Sequence, residues 1–174
     1  MKNLKHLPAQ FKYVLTLSAL ISTSLLGDMA HAKVKEGMAF PALQLKSMKD
    51  DKPFDLAKTK GKVVVLDFWA SWCEPCKVEL PALNKLAKQY AKDVEVIGIN
   101  LDDNAADAQK FLQAHKVDFM IVKKPTDNKS FNPSDEISAM PSSFILDRSG
   151  VVRSVHKGFR EGDLQKFEKE IKEL

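Results

Sequence analysis

Residues 63–76 read VVVLDFWASWCEPC, an apolar run that stops at two cysteines separated by two residues. A run of this length, bounded by a break, is typical of a strand that is buried on both faces, as in a parallel sheet. Pro75 stands where a helix would begin, a position that tolerates proline. The sequence therefore places Cys73 and Cys76 on a turn between a buried strand and a helix.

The beginning of a helix favours a reactive thiol at this turn. Its first N–H groups lack partners and carry a partial positive charge, which stabilises a thiolate and lowers the pKa of the nearer, more exposed cysteine. Cys73 is therefore the candidate nucleophile. Cys76 lies one turn further along and can attack a mixed disulfide formed on Cys73, so it is the candidate resolving thiol.

Two other uses of paired cysteines fit the sequence poorly. A structural zinc site requires four ligands, but there is no second cysteine pair, and two of the four histidines lie in the first 31 residues. Haem attachment requires a histidine directly after the second cysteine, and that position is Lys77. The sequence thus predicts neither a metal nor a cofactor.

The N-terminal segment has the features of a secretory signal. Residues 1–32 combine lysines near the start, a mostly apolar stretch over 13–26, and small residues at Ala30 and Ala32. We predict that residues 1–32 are a signal peptide and that residues 33–174 form one domain. An uncleaved membrane anchor is the alternative, although the apolar stretch is shorter than the about 20 residues that span a bilayer.

Export changes what the two cysteines mean. Disulfides are common in an oxidising compartment, yet this chain has only two cysteines. A disulfide that closes so short a loop restricts the unfolded chain little, so redox exchange explains the pair better than stability does.

The formal net charge of +4 comes partly from the lysines of residues 1–32, and no basic block is interleaved with aromatics. Nucleic-acid binding therefore has little support.

Apolar periodicity outlines the rest of the chain. The irregular segment over 34–60 is predicted to contain a short edge hairpin or strand. Further strands are predicted at 94–99, 119–122, 143–146 and 151–155, and helices after Pro75, over 108–115, from 133 and over 164–174. The 39 residues from Asp102 to Met140 are too many for a plain crossover loop, so they are predicted to hold an extra strand and helix.

Two motifs together resemble a known family. Residues 69–81 read WASWCEPCKVELP, and residues 139–147 read AMPSSFILD. From about Val34 to the C-terminus, the chain resembles the exported thiol-disulfide oxidoreductases of the TlpA, ResA and CcmG group. The resemblance implies an α/β thioredoxin-like fold: a central mixed sheet flanked by helices, with the extra strand and helix as an insertion in the middle.

The resemblance also assigns roles to residues far from the cysteines. In thioredoxin-like folds a cis proline faces the Cys-x-x-Cys motif, and the backbone of the preceding residue pairs with the bound peptide, which implies these roles for Pro141 and Met140. Cys73 and Cys76 are the implied redox disulfide. The intervening Glu74 and Pro75 tune its potential, because this dipeptide accompanies reductive behaviour in ResA-like proteins.

Three further side chains are candidates for function. Asp67 lies in the apolar strand, where burial should raise its pKa and let it take a proton from Cys76; the alternative is a hydrogen-bonded structural aspartate. Glu79 matches a glutamate near the active-site cavity of ResA, so it is a second proton-handling candidate, with an exposed helix position as the alternative. Trp72 precedes the nucleophile and is predicted to form a rim on which a partner polypeptide packs.

The sequence thus predicts a periplasmic or otherwise exported monomer that exchanges its dithiol with disulfides of other exported proteins, as a reductant. By resemblance, apocytochrome c cysteines or those of a copper-site protein are candidate targets, and a membrane thiol-disulfide carrier supplies the electrons. A copper chaperone on the same fold is the alternative. Such relatives place three residues between their cysteines and add a histidine ligand, whereas this chain has two residues there.

Overall fold

The computed structural model describes residues 33–125 and 131–174. The predicted signal peptide at 1–32 and the whole of a polar loop predicted at 127–130 lie outside these ranges. Among the described residues, no helix has the length and apolar character needed to cross a bilayer.

The described residues form seven strands in two sheets. The strands are β1 (Leu45–Lys46), β2 (Pro53–Phe54), β3 (Val63–Trp69), β4 (Val94–Asn100), β5 (Met120–Lys123), β6 (Ser142–Leu146) and β7 (Val152–Lys157). The main sheet has the order β5-β4-β3-β6-β7, in which β3, β4 and β5 are parallel and β6 is antiparallel to both its neighbours. The predicted central mixed sheet is therefore confirmed.

Four α-helices accompany this sheet in the described part of the chain. They are α1 (Cys76–Gln89), α2 (Ala105–His115), α3 (Pro133–Glu136) and α4 (Asp163–Lys172). The Asn104 side chain caps α2 by accepting a hydrogen bond from Ala106 N–H, while Lys116 ends the helix in the left-handed conformation. The predicted helix positions are confirmed to within a few residues at their ends.

Strand β3 is buried along its whole length and divides the core into two layers. Because side chains alternate across a strand, Val63 and Val65 face one way and pack with Leu83 of α1 and Phe167 of α4. Val64, Leu66 and Phe68 face the other way, into a cluster that includes Phe131 and Phe144. Asp67 follows Val65 on the first face, so strand geometry alone directs this carboxyl towards the layer that contains α1.

The predicted insertion corresponds to α2 and β5. Strand β5 pairs in parallel with β4 and forms one edge of the main sheet. The predicted edge hairpin corresponds to β1 and β2, which pair antiparallel in a small sheet of their own. A single bridge between Ser47 and Val122 links this hairpin to β5. The α/β thioredoxin-like fold implied by the sequence is confirmed.

Candidate active site

The two cysteines lie where β3 gives way to α1. Cys76 is the first residue of α1, Pro75 precedes it as the capping residue, and a disulfide joins Cys73 to Cys76. Cys73 Sγ accepts a hydrogen bond from the Cys76 backbone N–H at 3.3 Å. The nucleophile candidate therefore faces an N–H group of the helix beginning, the position that favours a thiolate after reduction.

The turn that carries Cys73 is tied to the neighbouring strand by an aspartate that sequence reasoning missed. Asp102, just beyond β4, accepts hydrogen bonds from the Ser71 backbone N–H at 2.9 Å and the Ser71 hydroxyl at 2.8 Å. Asn100 donates to the same carboxylate at 2.7 Å. These bonds hold the turn against β4, since one carboxylate anchors both the backbone and the side chain of Ser71.

The surface next to the disulfide is exposed, although the Cys73 side chain itself is only 3% exposed. Trp72 is 68% exposed, whereas Trp69, three residues earlier, is fully buried. Trp72, Leu101, Ile137 and Met140 line a groove of about 360 Å³. At its edge Asp103 and Lys124 form an ion pair. The structure thus joins Trp72 and Met140, which are far apart in sequence, in one groove.

The peptide bond between Met140 and Pro141 is cis. Met140 packs against the cluster that contains both cysteines. The Pro141 carbonyl accepts a hydrogen bond from Gly158 N–H at 2.7 Å, and the Ser142 hydroxyl donates to the Ala139 carbonyl at 2.7 Å. The Met140 backbone makes no backbone hydrogen bond within residues 33–125 and 131–174, so it remains available beside the disulfide.

The inner side holds two carboxyl groups that are sealed from solvent. Asp67 and Glu79 are both fully buried, so an exposed helix position for Glu79 is wrong. Between them lies Ser143, whose hydroxyl is 3.2 Å from Asp67 Oδ1 and 2.8 Å from Glu79 Oε1. Ser143 pairs directly with Asp67 across β3 and β6. No sequence pattern indicated Ser143, since its role depends on the register of two strands that are distant along the chain.

Burial controls the protonation of this pair. It raises the pKa of Asp67 to about 7, against the opposing effects of hydrogen bonds with Ser143 and Glu79. Burial also raises the pKa of Glu79, and the nearby charge of Asp67 raises it further. The sequence prediction of a raised Asp67 pKa is thus confirmed. Both shifts favour a proton on the pair, because two negative charges side by side in a buried site would repel one another.

Glu79 and Cys76 share one face of α1. They are three residues apart, and both are fully buried. Residues with this spacing are neighbours on a helix surface, with their Cβ atoms about 5–6 Å apart. A buried carboxyl group therefore lies on the same side of the helix as the buried cysteine. Among the described residues, no three His, Cys, Asp or Glu side chains are grouped so as to hold a metal ion.

Comparisons with known proteins agree with this geometry. The family model described as Redoxin matches residues 35–171. The thioredoxin-like protein YneN of Bacillus subtilis is 34% identical over 72% of this chain and 73% of its own length. The thiol-disulfide oxidoreductase ResA of Bacillus subtilis is 31% identical over 72% of this chain and 69% of its own length.

A solved structure extends the similarity to the whole fold. The crystal structure of a Chlorobium tepidum protein described as a thiol:disulfide interchange protein DsbE superposes with a TM-score of 0.73 and 34% sequence identity. The match covers 81% of this chain and 98% of that protein. The chain therefore belongs to the redoxin family, as a thiol-disulfide oxidoreductase of the TlpA, ResA and CcmG group.

Proposed function

We propose that this protein is exported and reduces disulfides in other exported proteins, with cytochrome c maturation as the leading setting. One observation carries the proposal: the redox pair directly follows Trp72, which lines an open groove, and begins the helix that carries the buried Glu79. The groove offers a surface for a polypeptide, while the buried carboxyls offer a proton acceptor. Export itself rests on the signal-like composition of residues 1–32.

The first step is nucleophilic attack by Cys73. In the reduced protein, the Cys73 thiolate attacks one sulfur of a substrate disulfide and forms a mixed disulfide, and the other substrate sulfur leaves with the electron pair. The Cys76 N–H that bonds Cys73 Sγ in the oxidised form is placed to stabilise the thiolate. A substrate strand would pair with the free backbone of Met140 beside Pro141, while Trp72 packs against it.

The second step is resolution by Cys76. Asp67 takes the thiol proton of Cys76, whose sulfur then attacks Cys73 and releases the second substrate sulfur as a thiolate. The substrate gains two electrons and the protein becomes the disulfide. A membrane thiol-disulfide carrier would return the two electrons, and Glu74 and Pro75 between the cysteines would set a reducing potential. We propose that the protein acts as a monomer.

Trapping the mixed disulfide tests this sequence of steps. The Cys76→Ser variant should accumulate a covalent complex with a disulfide-bonded protein substrate, because no thiol remains to resolve it. The Cys73→Ser variant should form none, since the buried Cys76 cannot start the reaction. Complex formation through Cys76 in the Cys73→Ser variant would contradict the assigned roles.

The direction of electron flow is tested by the reduction potential of the Cys73–Cys76 pair. Equilibration with glutathione redox buffers should give a value below about −220 mV, in the range of cellular reductants. A value near about −120 mV, like that of a strong oxidant, would contradict the reductive assignment.

A further inference from the structure

We propose that Ser143 is a positioning residue that ties Asp67 and Glu79 into one acid–base unit, which holds a single proton when Cys76 is ready to resolve the mixed disulfide. The inference rests on the proposed exchange reaction and deepens it. Its basis is the geometry of three fully buried or nearly buried side chains from β3, α1 and β6. No single carboxyl then acts as the base alone.

Ser143 is suited to serve two carboxyls at once. Its hydroxyl lies within hydrogen-bond distance of Asp67 Oδ1 and Glu79 Oε1. A hydroxyl carries one donor and two acceptor positions and can rotate, so it can donate to a charged carboxylate while accepting from a protonated carboxyl. The direct pairing of Ser143 with Asp67 across β3 and β6 fixes this arrangement through the backbone.

The remaining carboxyl oxygens show that the pair is incompletely satisfied. Asp67 Oδ2 and Glu79 Oε2 are buried and have no hydrogen-bond partner among the described residues. Two negative charges in such a site would each bear the full cost of burial and would repel one another. A shared proton removes one charge, and the Ser143 hydroxyl stabilises the other.

Other titratable groups near the pair act in the same direction or are distant from it. Asp163 of α4 faces Glu79, and its charge makes a small further contribution to the raised Glu79 pKa, after burial and Asp67. Asp163 is itself paired with Lys166, and the charge of His156 acts on Asp163 only weakly. On α1, Cys76 is the ionisable group that shares the buried face with Glu79. The unit therefore includes a carboxyl on the same buried face of α1 as the thiol that must lose its proton.

The proton and electron balance follows from this arrangement. Before resolution, Glu79 carries the shared proton and Asp67 is ionised. Asp67 accepts the proton of the Cys76 thiol, the new bond between Cys76 and Cys73 forms, and the bond between Cys73 and the substrate sulfur breaks. The substrate sulfur leaves with the electron pair and takes a proton from solvent. The unit then holds two protons and is neutral until it releases one.

A single-turnover experiment on the full chain tests the role of Ser143. The substrate is a disulfide-bonded peptide whose two halves carry different chromophores, so release of the first half reports attack by Cys73 and release of the second reports resolution by Cys76. In the wild type, the second rate should rise with pH with a midpoint near 7, where Asp67 ionises. The first rate provides an internal reference in every variant.

The Ser143→Ala variant should move the midpoint of the second rate upwards by about one pH unit, because the charged carboxylate loses a hydrogen bond. At pH 7 this corresponds to resolution about fivefold slower, because the ionised fraction falls from about one half to about one tenth. Ser143→Thr keeps the hydroxyl and should restore the midpoint. The matched control is Ser154→Ala. It removes the hydroxyl that Ser154 of β7 donates to Glu170 of α4, and it should leave both rates unchanged.

A second measurement detects the shared proton directly in the wild type. At pH 8 the infrared spectrum of the wild type should contain the C=O stretch of a protonated carboxylic acid, which the Glu79→Gln variant should lack. If this C=O stretch is absent in the wild type, the proposal that the pair shares a proton is wrong. An unchanged midpoint in Ser143→Ala, with both peptide halves released, would overturn the role of Ser143 alone. Failure of the wild type to release either half would overturn the exchange reaction itself.

Discussion

Glu74 and Glu79 lie five residues apart on opposite sides of the disulfide. Glu74 has an 80% exposed side chain and forms an ion pair with Lys77, whereas Glu79 is fully buried beside Asp67 and Ser143. On the outer side, water and counterions screen a charge, so its effect on the cysteines is small. On the inner side, burial sets the protonation state, so a carboxyl can exchange a proton at neutral pH.

Under the proposed function, this difference means that one motif separates two tasks: polypeptide binding on the outer side and proton handling on the inner side. The outer side, with Trp72 and Met140, presents an open groove and free backbone. The inner side, with Asp67 and Glu79, keeps two carboxyls out of contact with solvent. If this division is right, variants on the two sides should change different measurements.

The largest expected effect concerns the inner side and stability. Because the pKa of folded Asp67 is raised to about 7 and that of the unfolded chain is near 4, folded protein binds more protons between these values. The free energy of unfolding should therefore fall as pH rises from about 4 to about 7. Asp67→Asn removes the buried charge and should stabilise the oxidised protein at pH 8 by on the order of 3 kcal/mol, with little change at pH 4.

Chemical denaturation at pH 4 and pH 8 measures this difference. The control is Asp107→Asn, which changes an exposed aspartate in the first turn of α2. A stabilisation by Asp67→Asn that is the same at both pH values would show that the charge of Asp67 is not the cause.

The next effect is kinetic and concerns the same residue. Asp67→Asn should slow release of the second peptide half about 10²-fold at pH 8, near the lower end for loss of a general base, because Glu79 remains nearby. Release of the first half should not change, since that step requires only Cys73. Equal slowing of both steps in rapid-mixing experiments would argue for a general structural effect instead.

A smaller effect is expected on the outer side. Trp72→Ala should lower kcat/KM for a protein disulfide about tenfold, because an exposed aromatic anchor is lost. Reduction of oxidised glutathione should stay within about twofold, since so small a substrate cannot span the groove. Val78→Ala is the matched control, because Val78 is 61% exposed on α1 but does not line the groove. Equal losses for both disulfides would remove Trp72 from polypeptide recognition.

The smallest effect is expected from the exposed ion pair. Glu74→Gln should speed alkylation of Cys73 in the reduced protein by about twofold at pH 7, because a nearby negative charge opposes the thiolate. Lys77→Gln should slow alkylation by a similar factor. Both changes should shrink in high salt, where exposed charges are screened. Changes of the same sign in both variants would contradict an electrostatic cause.

Local sequence predicted most of the secondary structure and the redox pair. The buried run of β3, the helix after Pro75 and the strand and helix between Asp102 and Met140 all follow from apolar periodicity and turn signals. These features depend on neighbours along the chain, so they can be read from it. The small hairpin β1–β2 was predicted only as an edge element. Its position in a separate two-stranded sheet could not be predicted from the sequence.

The missing parts of the site depend on contacts between distant segments. Ser71 and Asp102 are 31 residues apart, and Ser143 and Asp67 are 76 residues apart. Neither pair has a spacing that marks it as interacting. The burial of Glu79 has the same origin, because a glutamate in the first turn of a helix is exposed or buried according to what packs on that helix face.

A Cys-x-x-Cys pair at a strand-to-helix turn, with a carboxyl in the strand, could be predicted from the amino-acid sequence, because those features are local and follow side-chain periodicity. The contact of Ser143 with Asp67 and Glu79 could be seen only in the folded protein. That contact requires β3 to pair with β6 in one register while α1 packs over both strands, and strand register is set by the packing of the whole core.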